Sequence, residues 1–391
     1  MKKERKVILK EGKDKAIRNR HHWIFSGAIA ELPDFADGEI LPVHNQRGEL
    51  LGRGYFNHKS AIRGRMLTFD DRPPLEVIKS SIAAALRLRE SLFSHGNTNA
   101  YRLINAEGDC LPGLIVDKYA DSLVFQISTK GMESLRDFIM ENLNAALKPK
   151  CIFEKSQIPS RKEEGLKDFQ GVLLGKLEED VLICENGLGF SVSLKEGQKT
   201  GFFLDHREMR QLVRKMSFEK RILNCFAYTG GFSVYAAAGG AKKVDSVEIS
   251  RAAIKTAQKN MQLNGYKSEA HQFYEADVFD FLRERELPYD LVILDPPAFA
   301  KQKKDVLAAC RGYKDLNRIA MQKMPSKSIL LTCSCSYHVD ETLFQKVVFQ
   351  AAVEAGRNAR IIGRHYLAAD HPINICHPEN DYLKSLLLYL E

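Results

Sequence analysis

The chain has 391 residues, of which 44% are hydrophobic and 28% charged, and a net charge of +8. These figures are typical of a globular protein of two or three domains. No apolar stretch approaches the roughly 18 residues that span a bilayer, and no apolar signal core follows the basic start, which excludes a membrane-spanning protein and a secretory signal. We therefore expect a protein of the cytoplasm with no membrane partner.

The positive charge is concentrated at the start of the chain. Residues 1–22 hold nine basic side chains and three acidic ones. Such a segment can attract a polyanion, and a solvated arm is the alternative. The eight cysteines form no CxxC pair and no zinc-type spacing, so the sequence predicts no metal site.

The first half of the chain predicts two small units. Residues 1–73 contain short strand-like pieces between turn residues, which predicts a barrel or sandwich. The prolines of "DDRPPLE" (70–76) indicate a boundary. A predicted helix at 75–93, several strands, one helix in "MESLRDFIMENLNAAL" and a final hairpin near residue 194 then indicate a mixed α+β unit without a catalytic cluster.

From about residue 220, short apolar runs alternate with helical segments. This pattern predicts a parallel sheet covered by helices on both faces, with an antiparallel edge made by the last two strands. Ligands of such sheets bind outside the carboxyl ends of the strands. The residues that follow each predicted strand are therefore the candidate site.

The first four strand ends suit an adenosine-type cofactor. "NCFAYTGGFS" turns at Gly230 into a helix and has neither the GxGxxG fingerprint nor a P-loop lysine, which favours a cofactor without phosphates. Glu248 can accept hydrogen bonds from both hydroxyls of a ribose, and Asp277 can meet an adenine edge or amine. A helix cap or first-turn acid is the alternative for both. Asp295 leaves its strand into two prolines, which hold it rigidly.

The fifth strand ends in "LLTCSCSYHV" (330–339), which places Cys333 and Cys335 on one face, roughly 6.6 Å apart along the strand. We expect Cys333 within the sheet and Cys335 at or past its carboxyl end. A thiolate there can be a nucleophile if nearby charges lower its pKa, and space filling is the alternative for Cys335. A redox pair is disfavoured because cytosolic disulfides are rare.

Long motifs in a fixed order resemble one family across nearly the whole chain. The family is that of the cytosine carbon-5 methyltransferases of large-subunit ribosomal RNA, the ribosomal RNA large subunit methyltransferase I family. The motifs are "RHHWIFSGAI" (20–29), "YRLINAEGDCLPGLIVD" (101–117), "RKEEG" (161–165), "GQKTGFFLDHR" (197–207), "LNCFAYTGGFSV" (223–234), "LDPPAFA" (294–300), "CRGYKDLN" (310–317), "TCSCS" (332–336), "AADHP" (368–372) and "YLKS" (382–385).

The resemblance implies an α/β protein of three domains. These are a PUA-type RNA-binding β-barrel at 1–73, a mixed α+β linker domain at 74–193, and a Rossmann-like class I methyltransferase domain at 194–391 with a mostly parallel seven-stranded sheet. It also implies S-adenosylmethionine as cofactor and large-subunit ribosomal RNA as partner, and it leaves a homodimer open.

By the same resemblance, Cys335 attacks carbon 6 of an extruded cytosine, so that carbon 5 becomes electron-rich and takes the methyl group. Asp295 borders the cofactor and stabilises the charge that develops on the base. Glu248 holds the ribose, and the remaining cofactor residues are Asp277 near the adenine with Asp205, Asn224, Phe226, Tyr228 and Gly230.

The lysines just beyond "DPPAF" either bind the RNA backbone or form a solvated helix start; they are Lys301, Lys303 and Lys304.

Two positions depart from the family pattern, and two rival functions remain. Cys333 stands where an apolar residue is common, which indicates packing. Asn380 replaces an expected glycine and tolerates a left-handed backbone.

One rival is an exocyclic-amine methyltransferase, because "DPP" plus an aromatic resembles the motif that binds an amine, although Phe299 stands one residue further along. The other is a non-catalytic RNA-binding assembly factor.

Overall fold

The computed structural model describes residues 5–266 and 269–391. Lys2, Lys3 and Glu4, which belong to the basic segment, lie outside the described residues. The chain forms two compact units. The first comprises Met1–Cys184, Val192–Leu204 and Ala369–Asn380, and the second comprises Glu185–Ser191, Asp205–Ala368 and Asp381–Glu391. Across the described ranges, no helix combines the length and the apolar character that crossing a bilayer requires.

The first unit begins with a six-stranded sheet in the order β2-β6-β5-β4-β1-β3. Its elements are β1 (Val7–Leu9), α1 (Lys15–Arg18), β2 (Trp23–Phe25), β3 (Ile29–Glu31), β4 (Ile40–His44), β5 (Leu50–Phe56) and β6 (Ile62–Thr68). Val7, Leu9 and Phe56 are fully buried in its core. The strands are short and their side chains converge on one apolar cluster, in agreement with the pattern predicted from the turns.

A five-stranded sheet in the order β11-β10-β9-β8-β7 follows in the same unit. Its elements are α2 (Pro74–Leu92), β7 (Ala100–Asn105), β8 (Leu114–Tyr119), β9 (Ser122–Ile127), α3 (Lys130–Ser134), α4 (Arg136–Leu147), β10 (Cys151–Ser156), α5 (Pro159–Glu163) and β11 (Phe169–Gly175). Helix α2 begins at a proline, whose fixed φ suits the first helical position. The single helix predicted for 132–147 is wrong: Thr129 caps a short α3 and Leu135 separates it from α4.

A β-hairpin follows β11 along the chain. Strands β12 (Val181–Glu185) and β13 (Leu188–Val192) form a two-stranded sheet. Asn186 and Gly187 between them both have positive φ, at 52° and 79°. This is the two-residue turn that an Asn-Gly pair favours, because its twist matches that of the strands.

The second unit contains a seven-stranded sheet in the order β16-β15-β14-β17-β18-β20-β19. Its elements are α6 (Arg207–Met216), β14 (Arg221–Cys225), α7 (Gly231–Ala238), β15 (Lys243–Glu248), α8 (Arg251–Leu263), β16 (His271–Glu275), α9 (Val278–Glu284), β17 (Leu291–Leu294), α10 (Val306–Lys323), β18 (Ser328–Ser334), α11 (Glu341–Glu354), β19 (Ala359–His365) and β20 (Lys384–Leu390). Among these described strands, only β20 runs antiparallel to its neighbours. The predicted α/β fold with a mostly parallel seven-stranded sheet is confirmed.

Both faces of this sheet are buried. All four residues of β17 are fully buried, as expected of a central parallel strand. Along β18, Leu330 joins the cluster under α9, α10 and α11, whereas Leu331 and Cys333 join the cluster under α6 and α7. This alternation places Cys333 on the α6 and α7 face.

Asn380 ends a short 3₁₀ turn, Pro378–Asn380. Its side-chain amide donates to Glu107 Oε2 at 3.3 Å. The position therefore does not use the left-handed backbone that asparagine tolerates, and its side chain makes a hydrogen bond that glycine lacks.

Candidate active site

The loop between β14 and α7 holds an unusual backbone. Phe226, Tyr228 and Gly230 have φ values of 59°, 47° and 78°. A Cβ on Gly230 would stand 2.9 Å from the Cβ of Ala257, so both the conformation and the packing against α8 require glycine. The left-handed conformation costs roughly 1–2 kcal/mol at each of the two aromatic residues. Strain of this kind is concentrated at functional sites, which directs attention to this loop.

Glu248 ends β15 beside the same loop. One carboxylate oxygen accepts a hydrogen bond from the Tyr228 amide and the other from the Ser250 amide, each at 2.9 Å. These bonds fix the carboxylate plane. Each oxygen still has a lone pair for a further donor, so the group can accept from two neighbouring hydroxyls.

Asn224 lies in β14 and is almost completely buried. Its amide nitrogen donates to Ser233 Oγ at 2.8 Å, and that hydroxyl meets Ser246 Oγ at 2.8 Å. Within the described residues, Asn224 Oδ1 has no hydrogen-bond partner. A buried carbonyl oxygen in this state suits a donor supplied by a ligand, such as an ammonium group.

Asp277 is exposed and caps helix α9. Its Oδ1 accepts from the amides of Phe279 at 2.8 Å and Asp280 at 3.2 Å. The helix-cap alternative therefore describes what this side chain does in the structure. Its second carboxylate oxygen is not used by these two bonds.

Asp295 follows β17, and 21% of its side-chain surface is exposed. Its Oδ2 lies 3.6 Å from Nε2 of His206, a buried residue that the sequence analysis missed. His206 belongs to the motif "GQKTGFFLDHR", next to Asp205. Asp205 is buried and its Oδ2 accepts from the Tyr382 hydroxyl at 2.6 Å. The structure thus brings Asp295 and His206 together.

The two cysteines differ sharply in environment. Cys333 is completely buried, and its Sγ lies 4.0 Å from Met209 Sδ. Burial raises the pKa of its thiol well above the usual value, and the charges of Asp295 and Cys335 raise it further. Cys335 follows the last residue of β18, is partly exposed, and has its Sγ 3.7 Å from the Pro296 carbonyl oxygen. Across the described residues, no disulfide is formed.

The chain on either side of Cys335 is firmly held. Ser336 Oγ accepts from the Ala300 amide at 3.1 Å and meets the Tyr313 hydroxyl at 2.9 Å. Lys384, which pairs with Ser334 in the sheet, donates from Nζ to the Ser336 carbonyl at 2.7 Å. These contacts connect the end of β18 to the "DPPAF" loop, to α10 and to β20.

Lys384 is a second residue that the sequence analysis missed. It is buried, with 6% exposure. Burial lowers the pKa of its ammonium group, and the negative charges of Cys335, Asp381 and Asp340 oppose that shift. Because Ser336, whose carbonyl Lys384 Nζ contacts, directly follows Cys335, the ammonium group lies beside the backbone of Cys335. By contrast, the three lysines beyond "DPPAF" are exposed on the surface; they are Lys301, Lys303 and Lys304.

Comparisons with known proteins identify the family of the chain. A PUA-like domain family matches residues 7–69, and a family described as S-adenosylmethionine-dependent methyltransferase matches residues 169–354. Ribosomal RNA large subunit methyltransferase I of Aeromonas salmonicida (strain A449) is 43% identical over 390 residues, covering 98% of each chain. The chain belongs to the ribosomal RNA large subunit methyltransferase I family. The member from Photobacterium profundum is 43% identical over 394 residues, covering 98% of this chain and 99% of its own.

Solved structures show that this family member shares its fold with other proteins. SMU.776 in complex with SAH superposes with a TM-score of 0.85 at 24% identity, covering 98% of this chain and 99% of its own. A second structure, from Streptococcus mutans, gives a TM-score of 0.83 at 24% identity with the same coverage. As a member of its family, the protein is an S-adenosylmethionine-dependent methyltransferase with a PUA-like domain.

Proposed function

We propose that this protein methylates carbon 5 of a cytosine in large-subunit ribosomal RNA, through a covalent bond between Cys335 and the base. The relatives' name supports the RNA substrate. The observation that carries the chemistry is the contrast between the two sulfurs: Cys333 is sealed in the sheet, whereas Cys335 stands beyond the strand end beside the "DPPAF" loop. A cysteine in this position can act as the nucleophile that carbon-5 methylation requires, whereas methylation of an amine requires no cysteine.

The pocket residues fit S-adenosylmethionine. The fixed carboxylate of Glu248 is suited to the ribose hydroxyls, and the buried Oδ1 of Asn224 is suited to the ammonium of the methionine part. Asp277 borders the adenine with its second oxygen. The other residues that we assign to the cofactor pocket are Asp205, Phe226, Tyr228, Gly230 and Asp295. When bound, this cofactor supplies an electrophilic methyl group.

The remaining chemistry belongs to the chain itself. The Cys335 thiolate forms a bond to carbon 6 of cytosine, which breaks the aromaticity of the ring and makes carbon 5 nucleophilic. In its protonated form Asp295 donates a hydrogen bond to the ring nitrogen and stabilises the negative charge that develops there, whereas its carboxylate form can accept from the amine. After carbon 5 has taken the methyl group, it loses its proton to a base, and the bond to sulfur breaks. The products are 5-methylcytosine, S-adenosylhomocysteine, a proton and the restored thiolate.

Lys384 is the positioning residue of this mechanism. Its ammonium group interacts with the charge of Cys335 and holds the carbonyl of the next residue, Ser336. A nearby cation stabilises a thiolate and so lowers the pKa of the thiol. The same lysine therefore fixes the backbone of the nucleophile and favours its reactive form.

RNA binding uses charge outside the pocket. We assign the backbone contacts of the target strand to the exposed lysines that follow "DPPAF", namely Lys301, Lys303 and Lys304. The PUA-like segment at 7–69 and the basic residues around it provide a further RNA-binding surface. The domain limits at residues 73 and 193 are part of this proposal.

The exocyclic-amine alternative is weakened by Phe299. Its ring centroid lies 4.7 Å from that of Tyr313, and a Cβ on Gly312 would stand 3.2 Å from the Phe299 ring. The aromatic side chain is therefore packed against α10. An amine methyltransferase would need that face for stacking on the target base.

Mass spectrometry of ribosomal RNA nucleosides from a deletion strain tests the proposal. We expect the loss of one 5-methylcytidine from the large-subunit RNA, restored by the wild-type gene and not by a Cys335→Ala gene. Loss of a methylated amine would instead identify an exocyclic-amine enzyme. An unchanged nucleoside profile would identify a non-catalytic assembly factor.

A further inference from the structure

A cluster of imidazole and carboxylate groups lies within the first unit. His21 precedes strand β2, and His377 and Glu379 stand 356 and 358 positions further along the chain. His21 Nε2 is 2.9 Å from Glu379 Oε1, and His377 Nε2 is 3.6 Å from Glu379 Oε2. One ligand atom from each of the three residues lies within 4.8 Å of the other two.

His377 is the observation that points to a ligand. It is completely buried, at 0% exposure, and neither of its ring nitrogens has a hydrogen-bond partner in the part of the chain that the structure describes. Glu379 Oε2 is likewise buried without a hydrogen bond among those residues. Buried polar atoms are almost always paired. Several unpaired atoms that face one another indicate a group that satisfies them together.

We propose that His21, His377 and Glu379 bind a divalent transition metal, with Zn²⁺ as the ion that suits them best. Two imidazoles and one carboxylate are a common ligand set for Zn²⁺. The pair distances of 2.9 and 3.6 Å bracket the roughly 3.4 Å that separates ligands in a tetrahedral site with metal–ligand bonds of about 2.1 Å.

The surroundings of the proposed site contain a further histidine, His22, and one hydrogen bond that metal binding would break. His22 Nδ1 contacts the Met66 carbonyl at 2.9 Å, which assigns the ring proton to that nitrogen and leaves a lone pair on Nε2. His21 Nδ1 accepts from the Trp23 amide at 3.2 Å. Coordination through His21 Nε2 would require the ring proton to move to Nδ1, so the contact with the Trp23 amide would be given up.

The site would act as a structural clip. It joins the start of β2 to the segment around 377–379, two parts of the first unit that are far apart in sequence. The sequence predicted no metal site because it contains no cysteine spacing typical of one. None of the three ligands is a cysteine, and their proximity arises only in the fold.

Trp23 gives a direct readout, because it is the only tryptophan of the chain and its ring centroid lies 4.6 Å from that of His377. Full-length protein stripped with EDTA is titrated with Co²⁺. We expect Trp23 fluorescence to be quenched with saturation at one equivalent, together with visible d–d absorption that Zn²⁺ abolishes by competition. These signals do not depend on methyl transfer. Quenching that never saturates, or none at all, overturns the proposal.

Variants locate the ion. His377→Gln and Glu379→Gln should each weaken Co²⁺ binding at least about tenfold. His95→Gln, an exposed histidine of the same unit, should leave it unchanged. His206→Gln should also retain the full equivalent, which excludes the group of His206, Asp295 and Cys333 in the second unit. If His377→Gln does not fold, Co²⁺ binding by Glu379→Gln tests the assignment. Equal loss in His95→Gln, or no loss in Glu379→Gln, contradicts the assignment.

Discussion

The sulfur of Cys335 lies 3.7 Å from the carbonyl oxygen of Pro296. This contact joins the ends of β18 and β17, and it places the proposed nucleophile next to the residue that follows Asp295. Because both strands are parallel neighbours in the sheet, their carboxyl ends open on the same pocket. The sulfur of Cys335 and the carboxylate of Asp295 can then both contact the same base.

Cys335→Ala should abolish methyl transfer, because it removes the sulfur that forms the bond to carbon 6. Affinity for S-adenosylmethionine, measured by calorimetry, should change less than about threefold, since the cofactor pocket is otherwise intact. Cys333→Ala is the matched control. It should retain activity and lose roughly 1 kcal/mol of stability, because it removes a buried sulfur. Activity that persists in Cys335→Ala and disappears in Cys333→Ala would show that Cys333 is the nucleophile.

Lys384→Met should raise the pKa of the Cys335 thiol by removing a neighbouring cation. The pH dependence of Cys335 alkylation by iodoacetamide should move to higher pH by about one unit, a tenfold loss of thiolate at neutral pH. Lys384→Arg should keep the alkylation profile close to that of the wild-type protein. Lys346→Met, at an exposed lysine, should cause no shift. An alkylation profile that stays in place in Lys384→Met would show a purely structural lysine.

Glu248→Gln should weaken S-adenosylmethionine binding at least about tenfold, or 1.4 kcal/mol, because an amide can accept from only one of two hydroxyls and leaves a backbone amide without an acceptor. Isothermal calorimetry measures this. Glu275→Gln, at the exposed end of the neighbouring strand, serves as the control and should bind normally. Unchanged affinity in Glu248→Gln would remove this carboxylate from the cofactor site.

Replacing Lys301, Lys303 and Lys304 together by alanine should weaken RNA binding without changing affinity for the cofactor. The slope of log affinity against log salt should fall by about two to three, because each lost phosphate contact reduces the number of released counterions. A triple variant at other exposed lysines, Lys242, Lys255 and Lys346, provides the comparison. Equal slopes in the two variants would place the RNA elsewhere.

Sequence patterns predicted the second unit well because its architecture is repetitive. A run of apolar residues that ends at an acid or a cysteine can be assigned to a strand end, so Glu248, Asp277, Asp295 and Cys335 could all be located before the fold was known. The helix-cap alternative for Asp277 could not be decided, because a cap and a ligand contact use the same residue type at the same place.

Residues whose surroundings come from distant segments were not predictable. Lys384 reaches the Ser336 carbonyl from a strand 48 positions later, and in sequence it is only a lysine at the start of an apolar run. His206 meets Asp295 for a similar reason. The burial of His377 arises from tertiary packing, and no periodicity or spacing in the sequence indicates it.

The complete burial of Cys333 also determines how the pocket responds to oxidants. A sulfenic acid can condense with a neighbouring resolving cysteine to a disulfide, which a thiol reductant then returns to the two thiols. Here the neighbouring cysteine, Cys333, is packed against Met209 and closed to solvent, and burial raises the pKa of its thiol. A sulfenic acid formed on Cys335 would therefore persist until an external thiol reached it, and with Cys335 as the proposed nucleophile the enzyme would stay inactive for that time.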